Sequence, residues 1–169
     1  MQIRGLVDED LVNYKVCSMY IIFPFCSFKC DKECGMDVCQ NSSLVKTPII
    51  DIDVTEICER YKSNPLSQAI VIAGLEPFDS SYDLLSLIDC FRHKYEINDD
   101  IVIYTGYTED EMINGSEHNK LLTSLYSNII LYSNIIIKFG RFIPNREPHF
   151  DEVLGVNLAS NNQYAKRIN

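Results

Sequence analysis

The sequence predicts an α/β domain built on a largely parallel sheet, and three observations carry that prediction. Short β-branched and aromatic runs recur at Ser18–Phe23, 68–73, 101–104 and Ile135–Phe139, each of strand length. Stretches with apolar residues at helical spacing separate them, and strands that alternate with helices build parallel sheets. The residues with unusual chemistry gather at the carboxyl ends of those runs, where open α/β sheets bind ligands. At 169 residues, 46% hydrophobic and 23% charged, the chain suits one domain, 1–169, with one core.

Taken in order, Ser18–Phe23 is closed by Pro24, and the cysteine-rich segment 26–41 reads as a loop because it holds Gly35 among alternating charges. Asp53 is placed to cap a helix, with Glu56 three residues on to complete a capping box. Val54, Ile57, Cys58 and Tyr61 follow at helical spacing until Asn64-Pro65 stops the run. The strand 68–73 ends at Gly74. Ser80 or Ser81 opens a second helix with Leu84, Leu85, Ile88 and Phe91 on one face. The strand 101–104 ends in Thr105-Gly106. A short acidic helix follows Thr108, its Glu109-Asp110-Glu111 forming a solvated first turn, and another covers 120–126. Ile135–Phe139 precedes Gly140, and Ala165-Lys166-Arg167 reads as a solvated tail.

Composition narrows the functional class. The chain has no internal repeat and no low-complexity tract. Its longest apolar stretch, 19–25, is too short to cross a bilayer and contains Pro24. The first residues lack the basic-then-apolar order of a signal peptide, so a cytoplasmic protein is expected. A net charge of −9 argues against nucleic acid, whose phosphates need a basic face.

Seven cysteines are many for such a chain, and four of them, Cys26, Cys30, Cys34 and Cys39, fall within 14 residues. Clustered thiols in a reducing compartment point to metal ligation rather than disulfides. The spacing C-x3-C-x3-C-x4-C is neither the paired C-x2-C of a zinc ribbon nor the bacterial ferredoxin run. Iron–sulfur, zinc and free thiols all stay open on spacing. The absence of C-x-x-C argues against thiol–disulfide chemistry. Cys17, Cys58 and Cys90 lie in apolar patterns and read as small buried hydrophobes, and His93, His118 and His149 are isolated. Gly74-Leu75-Glu76-Pro77 follows a strand: the glycine permits close approach, the carboxylate can attract an ammonium, and the proline fixes the turn.

Cys26-Ser27-Phe28-Lys29-Cys30 directly after a strand, with Cys39-Gln40-Asn41 beyond it, resembles the opening of the radical S-adenosylmethionine activating enzymes. In that family three cysteines, commonly spaced C-x3-C-x2-C, hold a [4Fe–4S] cluster. Here eight residues, including Cys34, separate Cys30 from Cys39. Two ligand sets are therefore open: Cys26 and Cys30 with Cys39, favoured by Gln40-Asn41, or with Cys34 as the third. All four on one cluster would leave no iron for the cofactor. Gly74-Leu75-Glu76-Pro77 resembles the family's GGEP segment, with Leu75 in place of the second glycine. Tyr104-Thr105-Gly106-Tyr107-Thr108, the stretch 137–142 and the tail 158–163 resemble segments of the activases of anaerobic (class III) ribonucleoside-triphosphate reductase. Lys138 replaces an Asp common there, and Ala159 replaces a glycine. For Tyr104, Phe139 and Phe142, strand-end packing is as good a reading as ligand contact.

The resemblance implies a shortened radical-SAM-type partial barrel. It implies a [4Fe–4S] cluster and S-adenosylmethionine as cofactors, the latter held near Gly74, Glu76, Pro77, Thr105, Gly106 and Tyr107. Reductive cleavage would yield a 5′-deoxyadenosyl radical that installs a glycyl radical on a protein partner, the anaerobic reductase, in an anaerobic host. Flavodoxin or ferredoxin would supply the electron, and no catalytic residue beyond the cluster is implied. The rival from another class is a non-catalytic protein whose four cysteines hold 4Fe–4S or zinc.

Overall fold

In the computed structural model, which describes residues 1–114 and 120–168, the β-branched runs pair into one sheet. The order along the chain is β1 (Gln2–Ile3), β2 (Gly5–Asp10), β3 (Ser18–Phe23), α1 (Lys29–Cys34), β4 (Ile50–Asp51), α2 (Val54–Ser63), β5 (Ala69–Gly74) and α3 (Ser81–Asp89). It continues with β6 (Asp100–Tyr104), α4 (Glu109–Ile113), α5 (Lys120–Ile129), β7 (Ile135–Phe139), β8 (His149–Asp151), β9 (Val156–Leu158) and β10 (Tyr164–Arg167). The main sheet runs β10-β7-β6-β5-β3-β2. Its four inner strands are parallel, and the edge strands β2 and β10 run antiparallel to their neighbours. Both edges are unclosed, so this is an open α/β sheet and not a complete barrel. β1 with β4, and β8 with β9, form small two-stranded pairs.

Side chains alternate across the sheet, and the two faces meet different partners. Met19, Ile21, Ile70, Ile72, Ile101, Ile103, Ile135 and Ile137 pack with the apolar stripes of α2, α3 and α5 in the larger core. Val71, Val102 and Ile136 face the other way, with Tyr14, Leu154 and Leu158. The register sets Phe23 opposite Gly74 and Tyr104 opposite Lys138, which brings the carboxyl ends of the parallel strands to one edge. Two faces, each buried, explain why these strands read as continuous apolar runs.

Several expectations change. The segment 26–41 is not all loop: Lys29–Cys34 is helical, bracketed by Phe28 at φ 52° and by Gly35 at φ 66°, the left-handed stop that glycine adopts without strain. Asp53 does cap α2, but its carboxylate accepts from the N–H and hydroxyl of Thr55, both at 2.7 Å, and makes no box with Glu56. The full box forms at Thr108 and Glu111. A 3-10 turn (Pro77–Ser80) precedes α3, and a π-helical turn (Cys90–Lys94) follows it. Residues 165–167 belong to β10 rather than to a solvated tail, because Ala165 is buried and its N–H reaches Asp151 at 2.8 Å. Glu111 and Glu109 are not merely solvated; they pair with Arg141 and Lys166. Cys58 and Cys90 are buried, whereas Cys17 is only half-buried. His93 is exposed beside Asp89 and His149 is half-buried; His118 lies outside the described residues. Among the described residues no helix is long and apolar enough to cross a membrane.

Candidate metal centre

At the carboxyl edge of the sheet, between the strand ends and β9, lies a cleft of about 300 Å³. Cys26, Cys30 and Cys39 line it, and Cys34 does not. Gly74, Glu76, Thr105 and Gly106 also line it, with Lys138 and Gln163.

The cysteine segment is pinned at both ends. Arg4 donates from Nε to the Pro24 carbonyl at 2.9 Å and from Nη1 to the Val45 carbonyl at 2.8 Å, and it also binds the Thr47 carbonyl. Asp79 accepts the Ser27 N–H at 2.6 Å, fixing the chain beside Cys26, whose Sγ accepts the Phe28 N–H at 3.2 Å. α1 then turns Cys30 to the cleft and carries Cys34 one helical turn further on. Asp31 accepts the N–H groups of Val38 and Cys39, each at 2.8 Å, so the chain doubles back and Cys39 returns to the cleft. Asn41 completes the segment by donating from Nδ2 to the Gly74 carbonyl at 2.9 Å. Of the cysteines in the two ligand sets open on sequence, Cys26, Cys30 and Cys39 line one cleft and Cys34 does not.

Burial pushes all three thiols up, Cys26 to about 12; the Cys39 charge adds to the effect at both Cys26 and Cys30. Such thiols stay protonated until a metal replaces the proton. Among the described residues no group of three His, Cys, Asp or Glu side chains is drawn together tightly enough for a single ion.

Glu76 stands at the centre of the strand ends, only 5% exposed. Its Oε1 accepts from the Thr105 hydroxyl at 2.8 Å and the Phe78 N–H at 3.2 Å, and its Oε2 accepts from the Gly106 N–H at 2.8 Å. Burial raises its carboxyl to about 7, against the lowering pull of those donors. Gly74 holds φ 100°, and a Cβ there would lie 2.7 Å from the Ile22 side chain and 2.8 Å from the Phe23 nitrogen, so only glycine fits. Pro77 is the first residue of the 3-10 turn. The Tyr107 hydroxyl binds Asp79 at 2.7 Å, and the Lys29 ammonium stands 4.4 Å from its ring centre. Tyr104 donates to the Asn13 carbonyl at 2.5 Å and lines the cleft, as Phe142 does, while Phe139 is core.

On the far wall Arg141 makes a two-pronged pair with Glu111, at 2.6 and 2.8 Å. Burial raises the Glu111 carboxyl, but hydrogen bonds from Arg141 and the Thr108 N–H, with the Arg141 and Lys29 charges, outweigh it and hold the group at about 2. The Lys138 ammonium donates to the Gly140 carbonyl at 2.7 Å, and Gln163 donates to the same oxygen at 3.2 Å. Burial lowers Lys138 to about 8, opposed by Glu76 and Cys30. Sequence reasoning missed Asp31 and Asp79, which are ordinary acidic residues until the fold aims them at backbone donors. Lys138 stood out only as a departure from the resembled pattern.

Residues 15–143 match a family described as a 4Fe-4S single cluster domain. That stretch is most of the chain, and the chain belongs to this family. No curated protein matches it, and no solved structure does.

Proposed function

We propose that this member of the 4Fe-4S single cluster family is a radical S-adenosylmethionine enzyme. In this reading Cys26, Cys30 and Cys39 hold one [4Fe–4S] cluster, and the adjoining cleft takes S-adenosylmethionine. One observation carries the reading: three cysteines, not four, line the cleft. Soft thiolates suit a cluster, and three of them leave one of four irons without a protein ligand. The reduced cluster, when bound, supplies the electron that splits S-adenosylmethionine into methionine and a 5′-deoxyadenosyl radical.

The chain's own residues bind and orient. A carboxylate offers about four lone-pair sites, and three of those on Glu76 are engaged. The site left on Oε2 is available to an ammonium, as the resemblance to GGEP requires. Asn41 and Gly74 lock the cysteine segment to β5, and Thr105 and Gly106 lock β5 to β6 through Glu76. By the same resemblance, the radical is passed to a backbone glycine of a partner, an anaerobic ribonucleoside-triphosphate reductase. A flavodoxin or ferredoxin is the matching electron donor.

Electron paramagnetic resonance of the anaerobically reconstituted, reduced chain tests this. The expected result is a [4Fe–4S]⁺ signal that changes when S-adenosylmethionine is added. Cys34→Ser should retain it, while Cys26→Ser, Cys30→Ser and Cys39→Ser each lose it. A signal indifferent to S-adenosylmethionine and lost in Cys34→Ser would instead establish the four-cysteine, non-catalytic centre. Zinc uptake without iron would do the same for a structural metal.

A further inference from the structure

Lys138 is 6% exposed, and among the described residues its ammonium makes one hydrogen bond, to the Gly140 carbonyl two residues on. An ammonium carries three donors, and no described carboxylate lies within ion-pair distance of this one. Buried charges are paired or bound to metal, so a lysine here is expensive unless something answers it. The strand makes the choice stranger. Ile136, Ile137 and Phe139 around it are fully buried and apolar, and an apolar residue would serve the sheet at position 138 equally well.

Glu76, Cys30 and Lys138 all line the cleft. Glu76 already has three of its lone-pair sites on neutral donors. Cys30 Sγ lies against the same floor, 3.9 Å from where a Cβ on Gly106 would stand. Three thiolates meeting a cluster beside this floor would add negative charge next to an ammonium that no described carboxylate pairs.

Resting on the cluster reading above, we propose that Lys138 is the buried counter-ion of the iron–sulfur centre and raises its reduction potential. The step concerned is the gain of one electron by the cluster from a low-potential one-electron donor, which is oxidised in turn. The reduced centre carries one more negative charge, and a fixed cation at this wall stabilises it more than the oxidised form. Lys138 is thus a positioning residue for charge and touches no reacting atom.

The test is a redox titration, followed by electron paramagnetic resonance, of reconstituted wild-type chain, Lys138→Met and Lys138→Arg without S-adenosylmethionine. Met matches the lysine stem in length and carries no charge; Lys138→Gln supplies a polar neutral variant should Met not load iron. The expectation is equal iron content, a Lys138→Arg potential near wild type, and at least a tenfold loss of reduced cluster at fixed potential in the neutral variants. For a one-electron couple that is 59 mV. Neutral variants that titrate with the wild type overturn the proposal and leave the cluster reading standing; a wild-type chain that takes up no iron and sulfide overturns both.

Discussion

Two carboxylates near the cleft are pushed in opposite directions, and this has a measurable consequence. The folded chain holds the Glu76 proton more tightly than an ordinary glutamate does, up to about 7 from 4.5, because burial penalises its charge. Stability from this group is whole below pH 4.5 and is lost as pH rises to 7, about 3 kcal/mol in all. Glu111 works the other way. Its carboxyl is held at about 2, so its contribution is whole above pH 4.5 and is lost as pH falls toward 2. Urea unfolding of the iron-free chain should therefore be most resistant near pH 4.5 and weaken on both sides. Glu76→Gln should flatten the limb between pH 4.5 and 7 and leave the acid limb in place. An unchanged slope in that variant would show that some other group titrates there.

Among the elements, α1 is the least expected and the most consequential. Its six residues (Lys29–Cys34) bury none of their side chains, so no apolar stripe announces it in the sequence, and its charges and following glycine read as loop. The inner strands were legible for the opposite reason: buried on both faces, they leave long β-branched runs that Gly and Pro punctuate. Gln40-Asn41 favoured Cys39 over Cys34 in the sequence, but the return of Cys39 to the cleft was not legible, because it depends on Asp31 meeting two N–H groups seven and eight residues later. Removing those acceptors should release the excursion. Asp31→Ala is expected to speed amide exchange at Val38 and Cys39 and to lower iron retained after reconstitution severalfold. Asp31→Asn, which keeps a carbonyl acceptor, should retain most of it. Equal damage in both variants would mean that the charge, rather than the acceptor, matters. Edge strand β10 was missed as well, since three of its four residues are exposed and two are basic, a pattern that natural sheets use to blunt their edges.

At the scale of the molecule, β10 shields β7, pairing Ala165 with Lys138 and Tyr164 with Phe139. Without it, the Ile135–Phe139 strand would present an open, apolar, β-branched edge. A chain ending at Gln163 is expected to self-associate, read by light scattering at micromolar concentration, and a monomeric product would contradict this. The same region completes the cleft, where Gln163 binds the Gly140 carbonyl and Asn162 binds that of Arg141 at 2.8 Å. Cys26 and Gln163 are 137 positions apart. At a synthesis rate of about 5–20 residues per second, the thiols leave the ribosome roughly 7 to 30 s before the last wall of their pocket does. During that interval they are unshielded nucleophiles on a nascent chain, and the cluster has no finished place to enter. A cluster that needs the complete cleft therefore enters only after Gln163 has been made.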